Sequence, residues 1–228
     1  MTRTEEPDDP SRSTPVRAGR FITFEGGEGA GKSTQLRRLG ERLSEEGIEI
    51  VVTREPGGTP TAEAIRSYIL SGAAEPLGAE GETMLFAAAR ADHVDRVIRP
   101  AIGRGAFVLC DRFIDSTRAY QGADGVDPQL IDQLEALAIG DMRPHLTLML
   151  DLPAEIGLAR AAARRGADGA DRFERETIDR HEARRQIFFG IAAREPERCI
   201  VIDAMQAEDD VAADIWQAVV SRLLTQAD

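Results

Sequence analysis

The segment Gly26-Gly27-Glu28-Gly29-Ala30-Gly31-Lys32-Ser33 decides the fold, because it fits the phosphate-binding pattern G-x-x-x-x-G-K-[ST]. A short apolar run at 21–24 precedes it, and a segment with helical periodicity follows it. Glycines let successive backbone N–H groups face a phosphate, and the start of a helix adds partial positive charge. The sequence therefore predicts an ATP phosphate-binding loop made of Gly26, Gly27, Glu28, Gly29, Ala30, Gly31, Lys32, Ser33 and Thr34.

Lys32 is the only lysine in the chain, among 28 lysine and arginine residues. It stands where the pattern requires a compact cation to reach the β- and γ-phosphate oxygens, and an arginine fork has a different shape. The same count excludes one class of P-loop protein. GTP-specific switches recognise guanine with the sequence N-K-x-D, which needs a second lysine.

Alternation of strands and helices predicts the architecture around this loop. Five apolar runs indicate strands, at 21–24, 48–53, 107–110, 146–150 and 200–202. Helical periodicity fills the intervals, at 32–46, 61–70, 80–103, 127–139, 153–164, 175–193 and 211–224. Nearly continuous apolar strands are typical of a parallel sheet covered on both faces. We predict an α/β fold of P-loop NTPase type, with a doubly wound five-stranded parallel sheet and helices on both faces.

Length, charge and cysteine content restrict the class of protein. At 228 residues with a net charge of -12, the chain has no basic excess for coating nucleic acid. No apolar run approaches the roughly 18 residues of a membrane span. Cys110 and Cys199 stand in strand-like runs, which indicates buried free thiols in a reducing compartment. We therefore expect a cytoplasmic protein with neither nucleic acid nor a membrane as partner.

The polar N-terminus and one glycine-rich stretch define the expected domain limits. Residues 1–19 carry acids, arginines and prolines and almost nothing apolar, which is typical of a disordered leader. Residues 20–228 then form one domain. Within it, residues 163–173 include small residues between two arginine-rich helical segments. This composition predicts a flexible lid.

A P-loop protein also needs a carboxylate beside Mg²⁺, usually where an apolar strand ends. Asp111 follows the third predicted strand and Asp151 follows the fourth, and periodicity alone leaves both open. Asp111 is followed by Arg112, a cation suitably placed for a second phosphate. We take Ser33 and Asp111 as the candidate Mg²⁺ ligands.

Four further segments carry a family resemblance. They are Thr53-Arg54-Glu55-Pro56-Gly57-Gly58, Phe86-Ala87-Ala88-Ala89-Arg90, the run Asp111-Arg112-Phe113 with Asp115-Ser116-Thr117-Arg118-Ala119-Tyr120-Gln121-Gly122, and residues 140–151. In this order and spacing they resemble the bacterial thymidylate kinase family, from about residue 20 to the C-terminus. The resemblance implies a nucleoside monophosphate kinase that transfers the γ-phosphoryl group of ATP to dTMP, with Mg²⁺ as cofactor.

The resemblance also implies roles for individual side chains. Lys32 and Arg112 become catalytic residues, and Arg54 joins Arg112 in holding the dTMP phosphate. Phe86 stacks on thymine, and Arg90, one helical turn further on, binds the O4 edge of the base. By the same resemblance, Thr117 and Gln121 contact the pyrimidine edge, and Tyr120 packs against the 2′ side of the deoxyribose. Glu28 is at the position of an acid that helps to place the 3′-hydroxyl or Mg²⁺.

The family resemblance also implies a catalytic role for the predicted lid. One subtype of the family carries an arginine inside the P-loop, where this chain has Gly29. The other subtype supplies arginines from the lid, so Arg164 or Arg165 is the candidate that closes over the transferring phosphoryl group. Family membership further implies a homodimer.

Two alternative functions remain open from the sequence. Another small nucleotide or deoxynucleoside kinase would share the P-loop but contact a different base. A non-enzymatic ATP-dependent switch would bind ATP without acceptor-dependent turnover, and it would leave Arg54, Arg90 and Arg112 without a role.

Overall fold

The sheet has the predicted strand number and direction. A computed structural model describes residues 18–165, Phe173 and residues 176–225. All strand pairs are parallel, and the strand order is β2-β3-β1-β4-β5. The strands are β1 Arg20–Gly26, β2 Ile50–Arg54, β3 Phe107–Asp111, β4 Leu146–Asp151 and β5 Cys199–Asp203.

Helices connect the strands and cover both faces of the sheet. The α-helices of the described residues are α1 Lys32–Glu45, α2 Pro60–Leu70, α3 Gly78–His93, α4 Arg99–Gly103, α5 Ile114–Ala123, α6 Pro128–Ile139, α7 Ala154–Arg165, α8 Ile178–Arg194 and α9 Glu208–Val219. Glu75–Leu77 forms a 3₁₀ turn, and Val94–Ile98 and Val220–Leu224 form π-helical segments.

Side-chain alternation along β1 divides the core into two layers. Ile22 and Phe24 point to one face, where they belong to a cluster with the apolar side chains of α1 and α9. Phe21 points to the other face and packs with Val94 and Ile114. Because successive strand residues face opposite sides, Glu25 lies on the same face as Phe21. The predicted doubly wound architecture is confirmed.

Two local differences from the prediction have physical reasons. The single helix predicted at 80–103 changes to π-helical geometry at Val94–Ile98, just before Pro100, which has no N–H to donate to the preceding turn. Helix α5 was absent from the prediction, because Asp115, Ser116 and Thr117 favour turns over helix interiors. In the structure their polar side chains bond to groups outside the helix.

Most of the predicted leader and lid lies outside the described residues. The leader prediction concerns residues 1–19, of which the structure describes residues 18 and 19. Of the lid at 163–173, the described part is the end of α7, through Arg165, and Phe173. In the part of the chain that the structure describes, no helix has the length and apolarity to cross a membrane.

Candidate active site

The carboxyl ends of the parallel strands form one edge of the sheet, and a cavity of about 250 Å³ opens there. Strand β1 is central in the sheet, with β3 on one side and β4 on the other. Ligands of open α/β sheets bind at this edge, where the strand order reverses. The cavity is lined by twelve of the predicted side chains: Glu28, Lys32, Ser33, Arg54, Phe86, Arg90, Asp111, Arg112, Thr117, Tyr120, Gln121 and Arg164.

The loop after β1 leads into the first turn of α1, where Ser33 and Thr34 follow Lys32. Lys32 Nζ donates to the carbonyl oxygens of Gly26, at 3.1 Å, and Gly27, at 2.8 Å. Burial, and then the charge of Arg112, lower the pKa of Lys32, against the opposing effect of nearby carboxylates. The lysine charge is thus held at the loop with little water around it, so an anion placed there interacts with it strongly.

Gly29 meets the backbone of α7 so closely that no side chain fits. A Cβ atom on Gly29 would lie 2.0 Å from the carbonyl oxygen of Gly157, and one on Gly157 would lie 2.2 Å from that of Glu28. Gly29 also has a φ of +66°, which L-residues with side chains rarely adopt. The loop and α7 are therefore in direct backbone contact at the position where one subtype of the resembled family carries an arginine.

The two candidate Mg²⁺ carboxylates differ in their surroundings. Asp111 Oδ2 accepts a hydrogen bond from Ser33 Oγ at 2.6 Å, so a hydroxyl and a carboxylate face the phosphate loop together. Asp151 instead forms a bidentate pair with Arg185 of α8, at 2.6 and 2.9 Å. Mg²⁺ binds through one or two protein oxygens plus phosphate and water. The Ser33–Asp111 pair fits this cation, whereas Asp151 is already neutralised by an arginine.

Arg112 is held in a compact polar cluster beside the P-loop. Its Nη2 pairs with Glu28 Oε1 at 2.6 Å, and its Nη1 donates to the Gly26 carbonyl and to Ser116 Oγ, each at 3.1 Å. The Tyr120 hydroxyl also donates to Glu28 Oε1, at 2.8 Å. Burial raises the pKa of Glu28, but the charges of Arg112 and Lys32 and the Tyr120 hydrogen bond outweigh it and lower the pKa to about 2. Glu28 is an anion at neutral pH.

A second arginine, Arg90 on α3, is almost fully buried and also lines the cavity. Its Nε pairs with Glu55 at 2.7 Å, and its Nη2 donates to Thr117 Oγ1 at 2.9 Å. Glu55 also contacts His93 Nδ1 at 2.9 Å, and His93 Nε2 lies 2.7 Å from Thr53 Oγ1. The guanidinium is therefore fixed in direction before any ligand arrives.

The other predicted acceptor residues complete the cavity wall. Phe86 is half-buried on the same helix as Arg90, and its ring packs beside a cluster that includes Tyr120. Gln121 is 1 % exposed, and its Nε2 has no hydrogen-bond partner among the described residues. Arg54 is exposed and pairs with Glu63 at 3.1 Å. A buried amide donor without a partner is costly, so Gln121 fits a ligand that offers an acceptor.

The two lid arginines stand at the end of α7. Arg164 is exposed and lines the cavity, while the side chain of Arg165 lies outside the described part of the structure. Phe173 also lines the cavity and meets Tyr120 edge-on, with ring centroids 5.6 Å apart. The structure brings Arg164, one of the two candidate lid arginines, to the wall of the cavity.

Several side chains that support the site were missed by the sequence analysis. Glu55 and Ser116 belong to the quoted segments but were given no role, and His93 and Glu25 were not considered. Glu25 lies in an otherwise apolar strand and His93 and Ser116 lie in helices, while Glu55 follows directly after β2. Glu25, Glu55 and His93 are buried. A buried acid directly before a P-loop is a signal that could have pointed to Glu25.

Comparison with known proteins agrees with this geometry. The family model described as thymidylate kinase matches residues 24–215. A thymidylate kinase from Rhodopseudomonas palustris (strain ATCC BAA-98 / CGA009) is 59% identical over 211 residues, covering 92% of each chain. Another, from Bradyrhizobium sp. (strain ORS 278), is 56% identical over 208 residues, covering 91% of this chain and 92% of the relative. The crystal structure of thymidylate kinase from Ehrlichia chaffeensis superimposes with a TM-score of 0.73 at 34% identity, covering 89% of this chain and 99% of that one.

Proposed function

Because the chain belongs to the thymidylate kinase family, it transfers the γ-phosphoryl group of ATP to dTMP to give dTDP, and we propose that this reaction occurs in the cavity at the carboxyl edge of β1 and β3. One observation carries the proposal. The P-loop lysine, the Ser33–Asp111 oxygen pair and two fixed arginines line one cavity with an aromatic ring. Two phosphate esters and a base have complementary groups there.

The donor half of the site is the P-loop. ATP phosphates lie against the backbone of residues 26–34, and Lys32, held at the loop by the Gly26 and Gly27 carbonyls, neutralises the β- and γ-oxygens. Ser33 and Asp111 hold Mg²⁺, which supplies charge neutralisation on the phosphate oxygens. The 2.6 Å hydrogen bond between Ser33 Oγ and Asp111 Oδ2 supports this, since it places the two oxygens side by side at the phosphate loop.

The acceptor half uses charge for the phosphate and shape for the base. Arg112 and Arg54 bind the dTMP phosphate, with Arg112 close enough to the P-loop to bring acceptor and donor oxygens in line. Phe86 stacks on thymine, and Arg90, Thr117 and Gln121 bond its edge. The buried Gln121 amide and the fixed Arg90 guanidinium support this assignment.

The remaining side chains act on the sugar and on the transferred group. Tyr120 packs beside the deoxyribose, and Glu28, ionised at neutral pH, accepts from the 3′-hydroxyl or orders the Mg²⁺ shell. Arg164 or Arg165 stabilises the transferring phosphoryl group, and closure of the lid at 163–173 excludes water, which competes as acceptor. The position of Arg164 on the cavity wall supports a catalytic arginine from α7.

An ADP-release assay with several acceptors tests the proposal. We expect dTMP to stimulate ADP release strongly, and dUMP to be about 10–200-fold poorer in kcat/KM, because one methyl group contributes little discrimination. Thymidine, which lacks the phosphate for Arg112, and GMP should give no stimulation. Absence of dTMP-stimulated ADP release contradicts the assignment. Equal rates with GMP point to another nucleotide kinase, and ATP binding without turnover points to a switch.

A homodimer in the cytoplasm is the setting that we propose for this reaction. Leu137 on α6 is 82 % exposed and Met84 on α3 is 50 % exposed, although both are large and apolar. Helices α3 and α6 pack against each other, and these two exposed side chains offer apolar surface for contact with a second copy. Both cysteines are buried free thiols, which suits a reducing compartment.

Sedimentation velocity tests the assembly. We expect a species of about twice the 24.8 kDa chain mass, and a shift toward the single-chain mass in Leu137→Glu, because a carboxylate in an apolar contact loses its water. Arg37→Glu, on the exposed side of α1, is the matched control and should sediment like the unaltered protein. A single-chain mass for the unaltered protein contradicts the dimer.

A further inference from the structure

Glu25 is a buried carboxyl that the reaction described above does not use. It is the residue of β1 that precedes Gly26, and its side chain is 0 % exposed. Strand alternation turns it toward α5 rather than toward the P-loop helix. Acids are almost never fully buried unless they are paired or serve a purpose, so the contacts of this one decide what it does.

Both oxygens of Glu25 accept hydrogen bonds from the segment that carries Arg112. Oε1 accepts from the backbone N–H of Phe113 at 2.8 Å, and Oε2 accepts from Ser116 Oγ at 2.6 Å. Ser116 Oγ in turn accepts from Arg112 Nη1 at 3.1 Å. One carboxylate therefore contacts the backbone directly after Arg112 and, through one hydroxyl, the guanidinium itself.

The backbone at Arg112 needs such support. Its φ of +68° is left-handed, and it is the only residue other than glycine in the described ranges with a positive φ. That conformation costs an L-residue about 1–2 kcal/mol. The Arg112 N–H donates to the Phe24 carbonyl at 2.9 Å, and the next N–H donates to Glu25. Two neighbouring residues of β1 thus hold the two amides that define the turn.

The charge balance of Glu25 agrees with this arrangement. Burial, and then the charge of Asp115, raise the pKa of Glu25 to about 7, and Ser116, Arg112 and the Phe113 amide oppose the rise. The Ser116 hydroxyl, the Arg112 guanidinium and the Phe113 amide therefore stabilise the Glu25 carboxylate, and the same three groups are held in place by it. Arg112 has a competing partner in Glu28, at 2.6 Å, so the direction of the guanidinium depends on what holds its other nitrogen.

We propose that Glu25 is a positioning residue for the acceptor phosphate, which sets the direction of the Arg112 guanidinium through Ser116 and the Phe113 amide. The proposal rests on the proposed function, in which Arg112 binds the phosphate of dTMP. Without the carboxylate, Arg112 turns toward Glu28 and presents a poorer fork to the acceptor. ATP, which Lys32 and the loop backbone hold, is affected less.

Glu25→Gln tests the proposal, because glutamine offers one acceptor and one donor and so cannot accept from both Phe113 N–H and Ser116 O–H. We expect the KM for dTMP to rise at least about tenfold, the lower end of what one hydrogen bond to a charged group contributes, with the KM for ATP within about twofold. Glu25→Asp, which keeps both acceptors, should recover part of the loss. The matched control is Thr23→Val, at a fully buried residue on the same face of β1 that bonds Thr147 at 2.8 Å; it should lower Tm without changing either KM.

Ser116→Ala separates the relay from the folding of β1. It removes the hydroxyl that links Glu25 to Arg112 and leaves the hydrogen bond between Glu25 and the Phe113 amide, so we expect the KM for dTMP to rise. This variant tests the proposal if Glu25→Gln fails to fold. When Glu25→Gln and Ser116→Ala are combined, the KM for dTMP should rise no further than in the single variant with the larger effect. Equal rises in both KM values for Glu25→Gln, or an unchanged KM for dTMP in Ser116→Ala, overturn the proposal while leaving dTMP turnover intact. Loss of the proposed function itself appears instead as no dTMP-stimulated ADP release by the unaltered protein.

Discussion

Lys32→Ala is expected to lower kcat by about 10²–10³-fold, the range seen when one preorganised charge-stabilising group is removed from an active site. Lys32 Nζ is bonded at 3.1 and 2.8 Å to two carbonyls of the loop that surrounds the phosphates. Negative charge on the γ-phosphoryl oxygens and on the leaving β-oxygen shifts as the bond breaks. A cation fixed at that point stabilises the transition state more than it stabilises bound ATP, so the loss falls mainly on kcat.

Folding should be nearly unaffected by this substitution. Burial and the nearby Arg112 already lower the pKa of Lys32, which means that the folded protein holds this charge at a cost. Removing it relieves repulsion with Arg112, and water entering from the open cavity can satisfy the two loop carbonyls. Steady-state ADP release and a thermal melt measure the two effects separately.

The matched control lies on the same helix. Arg37 is exposed and pairs with Glu41 one turn further along α1, at 2.7 Å. Such surface pairs contribute little, so Arg37→Ala should leave kcat unchanged. A folded Lys32→Ala enzyme with kcat close to that of the unaltered protein rules out the proposed role of the lysine.

The sheet could be predicted from sequence because its three central strands, β1, β3 and β4, are buried on both faces and so read as nearly continuous apolar runs. Helix α5 could not be predicted, since its first turn holds Asp115, Ser116 and Thr117. The side chains of these residues bond outside the helix, to Arg198, Glu25 and Arg90 respectively. Those partners come from distant parts of the chain. Local propensity gives no account of a helix that is stabilised in this way.

Choosing between Asp111 and Asp151 also depended on tertiary structure. Both end a strand next to β1, so spacing treats them alike. The difference between them is Arg185 on α8, which forms an ion pair with Asp151. Asp111 instead accepts a hydrogen bond from Ser33. The cavity residues themselves could be proposed from the quoted segments, whereas the side chains that orient them could not. Glu55 and His93 are 38 residues apart, and no periodicity links them.

The second large effect is expected from Arg112→Lys. Arg112 uses two nitrogens at once, with Nη2 on Glu28 and Nη1 on the Gly26 carbonyl and Ser116. An ammonium group is a point charge and cannot span both sides of a phosphate as a planar fork does. We expect kcat/KM for dTMP to fall about 10–150-fold, which corresponds to about 1.5–3 kcal/mol for one hydrogen bond between charged groups.

The loss should be specific to the acceptor. The lysine keeps a positive charge near Glu28, so the pKa of that carboxyl stays low and the buried acid is not left without a counterion. Binding of ATP depends on the P-loop and should change little. Kinetics with dTMP varied at saturating ATP, and with ATP varied at saturating dTMP, distinguish the two substrates.

Arg118→Lys is the matched control for this substitution. Arg118 lies on α5, is partly buried, and forms a bidentate pair with Glu135 at 2.9 Å for both contacts, away from the cavity. Replacing its fork should lower Tm, because Glu135 loses one of two hydrogen bonds, and should leave both KM values unchanged. If Arg112→Lys behaves like this control, with reduced stability and unchanged kinetics for dTMP, then Arg112 serves the fold and some other cation binds the acceptor phosphate. A selective loss with dTMP, at a Tm no lower than that of the control, supports placement of the guanidinium at the phosphate, because the structural effect of losing a fork is then accounted for by Arg118→Lys.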